Sequence, residues 1–341
     1  MSQQPHEVTA SQAIRGRRVP SPDWTARARR LAVDNLIWLI LLATVAIGAT
    51  VPGFLKTENL INVVWAAVPT GCMVLGMFFV MLTGGLDLSL ESIFGVAPVL
   101  GLIFITDVFT AAPTQLAIVL CLGVGAFAGL MNGLISVKLR VNPFLVTLAA
   151  LLFWRGVVIA LIPEGIYQLP DGYTVLGGLR FFDTIPLAVV VAVILFAIAW
   201  VVLQRTAFGK SIYAVGSNPA AAYVAGLNVQ RIRISVFVIA GFLAGLGGLL
   251  EVGRIGAVVS DLGQNTIMIV FAGAILGGTS LTGGRGKLSG IIAAVLELQL
   301  IDNVMTLVGV EPSIRQVIFS LVLLVAIYLA SFQEHHDALY Q

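Results

Sequence analysis

Ten stretches of this chain carry almost no charge: 35–52, 61–82, 92–106, 114–137, 143–162, 185–203, 234–250, 265–281, 288–309 and 315–332. Most approach the length at which a helix crosses a ~30 Å hydrocarbon layer. Within hydrocarbon, backbone amides and carbonyls must bond inside their own segment, so runs of this length read as helices. The expected fold is an all-α polytopic membrane protein with about ten transmembrane helices. Composition agrees, since 58% of the 341 residues are hydrophobic and 11% are charged, against about 25% charged in soluble domains.

The basic residues orient the chain. With a cytoplasmic N terminus, Arg15, Arg17, Arg18, Arg27, Arg29 and Arg30 lie inside, as do Lys138, Arg140, Arg205, Lys210, Arg231, Arg233, Arg285 and Lys287. Lys56, Arg180 and Arg254 fall outside, with Arg155 within the fifth run and Arg315 at the outer edge of the tenth. This asymmetry predicts both termini in the cytoplasm. Residues 1–34 read as a cytoplasmic tail, retained rather than cleaved. It contains a short interfacial helix starting at Ser21-Pro22, with Trp24, Ala28 and Leu31 on one face. Residues 35–332 form the membrane domain and 333–341 a second cytoplasmic tail.

The polar interval 205–233, "RTAFGKSIYAVGSNPAAAYVAGLNVQRIR", holds four basic residues and no acid. Asn218 is placed to cap a helix, Pro219 suits its first turn, and Gly226 suits the left-handed stop. A helix of about two turns is marginal alone in water, so it calls for a support or a partner. The readings are a docking surface for a soluble protein and an ordinary long loop. On the other side, 163–184 carries Glu164, Asp171 and Asp183. It reads as a surface for an external partner or as an interfacial loop anchored by Tyr167, Tyr173 and Phe181.

Enzymatic classes are poorly served. His6, His335 and His336 all lie in the tails, and Cys72 and Cys121 sit in apolar runs as small hydrophobes. No metal-ligand spacing and no nucleophile–base pair results. "GKS" at Gly209–Ser211 resembles the end of a phosphate-binding loop, but Gln204 stands where that motif needs glycine. No nucleotide or metal is therefore expected on this chain.

The second run ends in "LTGGLDLSLES" (82–92) and the eighth in "LTGGRGKLSG" (281–290). Paired glycines there read either as unwound backbone beside a pathway or as tight turns requiring positive φ. The two phrases lie six spans apart, which fits no simple five-plus-five repeat. Asp87, just before the third run, reads as a cap more than as a transport group. Asn132, Arg155, Glu297 and Asp302 are the remaining candidate path-lining or structural polar residues. Glu297 and Asp302, five apart, do not share a helix face, and each should meet protein or a water-filled cavity rather than lipid. Arg155 is the natural interior counterpart for these acids. Gly125, Gly129 and Gly133, beside Asn132, and also Gly241 and Gly245, form small-residue ridges suited to close helix packing.

Together, "GGLDLS" (84–89), "GLMNGLISVKLRVNPFLVTLAALLFWRG" (129–156), "FGKSIYAVGSNPAAAYVAGLNV" (208–229) and "AGAILGGTSLTGGRGKLSG" (272–290) resemble the permease subunits of bacterial ABC importers for ribose, xylose, arabinose and related sugars. The resemblance spans roughly 40–330. It implies the ABC importer permease fold, an inner-membrane location and a second permease as a homodimer or heterodimer. It further implies a cytoplasmic ABC ATPase carrying ATP and Mg, a periplasmic or lipid-anchored sugar-binding protein, and no nucleic acid. By this analogy Asn218, Pro219, Ala221, Ala222, Tyr223, Ala225 and Gly226 form the coupling element. Ala221, Ala222 and Ala225 would enter a groove on the ATPase, with Tyr223 at the rim. The family usually has Val-Gly where this chain has Leu90-Glu91. The competing reading is an ion-coupled secondary transporter of a small polar solute, which would need Arg155, Glu297 or Asp302 at mid-membrane.

Overall fold

The computed structural model describes residues 36–110 and 112–339; the expected interfacial helix of the leader lies outside them. Each of the ten uncharged runs forms a helix. In chain order the helices are α1 Leu36–Gly48, α2 Thr57–Leu82, α3 Leu90–Ile103 with a π turn Phe104–Val108, α4 Thr114–Lys138 and α5 Pro143–Leu161. There follow α6 Val175–Gly178, α7 Leu187–Arg205, α8 Ala207–Ser217, α9 Pro219–Val224 and α10 Val229–Ile255, then α11 Ile267–Leu276, α12 Leu288–Leu307 and α13 Pro312–Leu339. Among the described residues the strands are β1 Arg180–Phe181 and β2 Ile185–Pro186, a short antiparallel pair.

Among the described residues, seven helices are long and apolar enough to cross a membrane: α2, α3 with its π turn, α4, α5, α7, α10 and α12. The apolar stretches Ile37–Gly48, Ile267–Leu276 and Pro312–Val325 are shorter. Helix α13 continues through position 332, where the sequence suggested the start of a polar tail. The chain is an all-helical polytopic membrane protein.

The bundle is built around α10, which packs against α4, α2 and α3. The two glycine ridges are the reason. A Cβ on Gly241 would run into the backbone of Gly125 and Gly129, and one on Gly129 into the Phe237 carbonyl. Gly245 packs beside Gly125, and Gly133 beside Ile234. Between apolar helices in lipid there is little hydrophobic gain, so close backbone approach and van der Waals contact must hold them. The same α10 lays Gly247 against the Pro69 carbonyl of α2 and Gly248 against the Phe94 carbonyl of α3. Helices α5 and α7, by contrast, turn large apolar side chains outward, among them Leu152 at 67% and Val193 at 65% exposure. These are surfaces suited to hydrocarbon.

At the end of the bundle where α10 finishes, the 163–184 segment folds down onto the helices. Ile166 pairs with Val258 through two backbone hydrogen bonds of 2.6 and 2.9 Å. Tyr173 is fully buried, and its hydroxyl donates to the Pro98 carbonyl at 2.6 Å. It is thus a core pin rather than the interfacial anchor expected. Tyr167 and Phe181 are exposed.

Candidate docking loop and polar cavity

The 205–233 interval contains two helices at a corner, where the sequence suggested one. Thr206 Oγ1 accepts from the Gly209 amide at 3.1 Å and starts α8. "GKS" therefore lies inside a helix, not in a strand-to-helix loop. Asn218 Oδ1 accepts from the Ala221 amide at 2.9 Å, Pro219 occupies the first turn of α9, and Gly226 sits at φ 85°. A cap of this kind stabilises a helix start by about 1 kcal/mol. The amides of Gly226 and Leu227 close the far end on the Tyr223 and Ala222 carbonyls.

The exposed face of α9 differs from the one expected. Ala222 is buried at 4% in the protein's own core, whereas Ala221 and Ala225 are exposed. Tyr223 at 73% and Val224 at 87% exposure stand furthest out. Such solvent-facing apolar side chains on a rigid corner suit a docking surface. The sequence reading did not include Val224, which no cap or helix-stop signal marks.

Helix α8 seats this corner on the bundle. Gly209 rests on the backbone at Val202 and Leu203 of α7. Gly216 fits against the Leu82 carbonyl and the Gly284 backbone, with room for no side chain. Tyr213 donates its hydroxyl to the Gly286 carbonyl at 3.1 Å. The two Gly-Gly phrases meet at this point. The Gly284 amide donates to the Leu82 carbonyl at 2.9 Å, and Gly84, Gly283 and Gly284 all adopt positive φ. They are tight turns, as one reading held, and they pack on each other and on α8. Their likeness is a likeness of two turns that form one seat.

The polar residues singled out in the sequence go to separate places. Asp87 Oδ1 accepts from the Ser89 amide at 3.0 Å, and from its hydroxyl. The Asn132 side chain donates to Ser89 Oγ at 2.7 Å, which ties the start of α3 to α4. Asp87 thus closes an Asx-type turn ahead of the helix rather than capping its first amides. Arg155 does not pair with Glu297 or Asp302. Its Nη2 donates to Glu91 Oε1 at 3.3 Å, while Nη1 reaches the Ser260 and Leu262 carbonyls. Glu297 is buried and accepts from Thr44 Oγ1 at 2.6 Å. Asp302 accepts from Arg315 at 3.3 Å.

A cavity of about 510 Å³ opens at the end of the bundle away from α8 and α9. Its walls come from the N-terminal half of α2, the C-terminal ends of α10 and α12, and the segment before α11. Its charges are matched in place: Arg254 holds Glu251 through bonds of 2.8 and 2.6 Å, and Asp302 holds Arg315. Asn59 and Asn303 exchange side-chain amide bonds of 3.0 and 2.8 Å at its edge. Asn62, Thr70 and Gln299 line the cavity and make no side-chain hydrogen bond among the described residues. Trp65 lines it too, its indole fixed by a 2.9 Å bond to the Gly177 carbonyl and by the Arg180 guanidinium 4.5 Å from the ring centroid.

A helical bundle with a polar cavity at one end and an exposed apolar corner at the other has the layout of a membrane transport component. A family model described as "Branched-chain amino acid transport system / permease component" matches residues 59–327, and the chain belongs to that family. It is 32% identical over 288 residues to the ribose import permease protein RbsC of Bacillus subtilis (strain 168), covering 82% of this chain and 86% of that protein. The RbsC of Escherichia coli (strain K12) is 31% identical over 323 residues, 93% of this chain and 97% of the relative. The galactose/methyl galactoside import permease protein MglC of the same strain is 30% identical over 318 residues, covering 87% and 93%. No solved structure matches the chain.

Proposed function

We propose that this chain is the membrane-spanning subunit of an ATP-driven importer for a sugar or a related polyol. The relatives are named for the import of ribose and of galactose or methyl galactoside. The observation that carries the reading is mechanical. Helices α2 and α12 each run from the glycine seat of α8 to the wall of the polar cavity. A rigid helix transmits displacement along its axis, so a push on α9 reaches the cavity through two packed struts.

The cavity chemistry suits a neutral polyhydroxy solute. Its carboxylates and guanidiniums neutralise each other in pairs, and the side chains left free are two amides and a hydroxyl. Hydroxyl groups donate to and accept from such partners, while Trp65 and Phe94 offer apolar faces. An ion-coupled carrier would need an available titratable group at mid-membrane. Arg155 and Asp302 are committed to ion pairs instead, and Glu297 bonds Thr44 through one of its two oxygens.

In this reading α8 and α9 face the cytoplasm, both termini lie inside, and the cavity opens outward toward a separate sugar-binding protein. A second permease completes the path. ATP and Mg act on a partner ATPase that grips α9, and this chain binds neither. ATP binding to that partner moves the docking corner and shifts the bundle between outward- and inward-open states. The test is uptake of labelled pentoses and hexoses by proteoliposomes containing the chain, its ATPase and its binding protein. Uptake should require ATP and survive a protonophore. Uptake driven by a proton or sodium gradient without ATP would overturn the proposal.

A further inference from the structure

A second cavity, of about 680 Å³, lies at the α8–α9 end of the bundle and takes no part in the path described above. It is enclosed by the Gly84-Gly85 turn after α2, the corner between α4 and α5, and the first turn of α10. Arg140 and Arg233 both line it, and no carboxylate does. Arg233 Nε is buried without a hydrogen-bond partner among the described residues. So is the hydroxyl of Ser136, a residue only 5% exposed. Native proteins seldom leave such donors unmet, and a buried orphan deserves a ligand as its explanation. Two guanidiniums with an unmet Nε–H and an unmet hydroxyl form a donor set for a tetrahedral oxyanion.

The surroundings specify what carries the anion. From the mouth of the cavity, Leu145, Ala149, Leu152, Gly156 and Ile159 form one exposed stripe along α5. Their spacing of four and three residues keeps them on a single helix face. Leu139 and Val141 at the corner are also exposed. A free phosphate or a protein carboxylate has no use for an apolar track running away from its site. We propose that this cavity binds the headgroup phosphate of an anionic phospholipid, with an acyl chain laid along the α5 stripe. Basic pockets between helices at a membrane face are suited to such headgroups. Lys138, whose ammonium donates to Gln230 at the rim at 3.4 Å, adds positive charge at the entrance. The site lies beside both the glycine seat and the start of α10, so an occupying lipid would brace the corner on which α8 rests. This inference does not depend on which solute is carried.

The test uses the purified full-length chain in a neutral detergent. It is titrated separately with dioctanoyl phosphatidylglycerol, dioctanoyl phosphatidylcholine and inorganic phosphate, reading the thermal midpoint and the lipid retained in native mass spectra. Phosphatidylglycerol should raise the midpoint saturably, and the other two should not. Arg140→Gln, at an exposed position, should weaken half-saturation at least tenfold, and Arg233→Gln should do the same. An equal response to phosphatidylcholine would make the effect an acyl one and overturn the proposal. Saturation by phosphate at the same concentration would make this a free-anion site and overturn the lipid. Undiminished phosphatidylglycerol binding in Arg140→Gln would remove the cavity from consideration. If that variant loses the partner ATPase while keeping lipid, the occupant is a protein carboxylate and the proposal fails.

Discussion

Partly buried Arg155 and buried Glu91 form an ion pair at 3.3 Å, and the second oxygen of Glu91 accepts the Ile267 amide at 3.1 Å. One carboxylate therefore holds three elements together: α3, which carries it, α5 and the start of α11.

Breaking that pair from one side should be costly, because it strands a charge away from water. Arg155→Met or Glu91→Leu alone should destabilise by about 3–5 kcal/mol, and the double variant by much less than their sum. Thermal unfolding of the four proteins in one detergent measures the cycle. Additive losses would show that the two residues do not depend on each other.

The glycine ridges make a prediction with its own control. Gly241→Leu should abolish folded, monodisperse protein, since a Cβ there meets the Gly125 and Gly129 backbone. Gly123→Leu lies on the same helix as Gly125, is exposed, and meets nothing within 4 Å. It should be tolerated, within about 1 kcal/mol of the parent given its helix propensity. Size-exclusion profiles of fluorescently tagged variants decide between them, and equal behaviour would refute the packing account.

Coupling is best tested at the exposed side of α9. Tyr223→Asp and Val224→Asp should lower solute-stimulated ATP hydrolysis by the partner at least tenfold (about 1.4 kcal/mol or more), leaving expression and folding unchanged. Ala222→Glu is the poorer probe, because Ala222 is buried in the chain's own core and its loss would mix misfolding with uncoupling. Wild-type stimulation in both aspartate variants would exclude α9 as the docking element.

Gln299 and Asn62 offer free amides to the cavity. Gln299→Leu and Asn62→Leu should each raise the half-saturating solute concentration for uptake by about 5- to 30-fold, the loss of one or two hydrogen bonds. Basal ATPase activity should not change. If uptake is unaffected in both, the solute follows another route.

Orientation can be read by labelling from outside intact cells. The native Cys72 and Cys121 are fully buried, which keeps the background low. A cysteine in place of Asp171 should react with a membrane-impermeant maleimide, and one in place of Asn218 should not. Reaction at Asn218 would invert the proposed topology.

Much of the architecture was legible because it rests on local chemistry. A run of apolar residues long enough to satisfy its own backbone in hydrocarbon is a helix whatever its neighbours are, and all ten runs proved helical. The Asn218 cap and the Gly226 stop are also local, acting over three residues. The glycine ridges announced a close contact, since only another backbone explains glycine at every fourth position. What remained hidden depended on distance along the chain. Arg155 and Glu91 are 64 residues apart, and the sequence, which set Arg155 beside Glu297 and Asp302 as interior charges, shows no pairing among them. The two Gly-Gly phrases looked alike without explanation until folding set them against each other and against Gly216. Which face of α9 looks outward was likewise undecidable from alanines of equal size. Sequence fixes what each segment is, because hydrogen bonding and hydrocarbon length act within it. Only the packed bundle decides which charge meets which, because that choice is made between helices and depends on how closely their backbones approach.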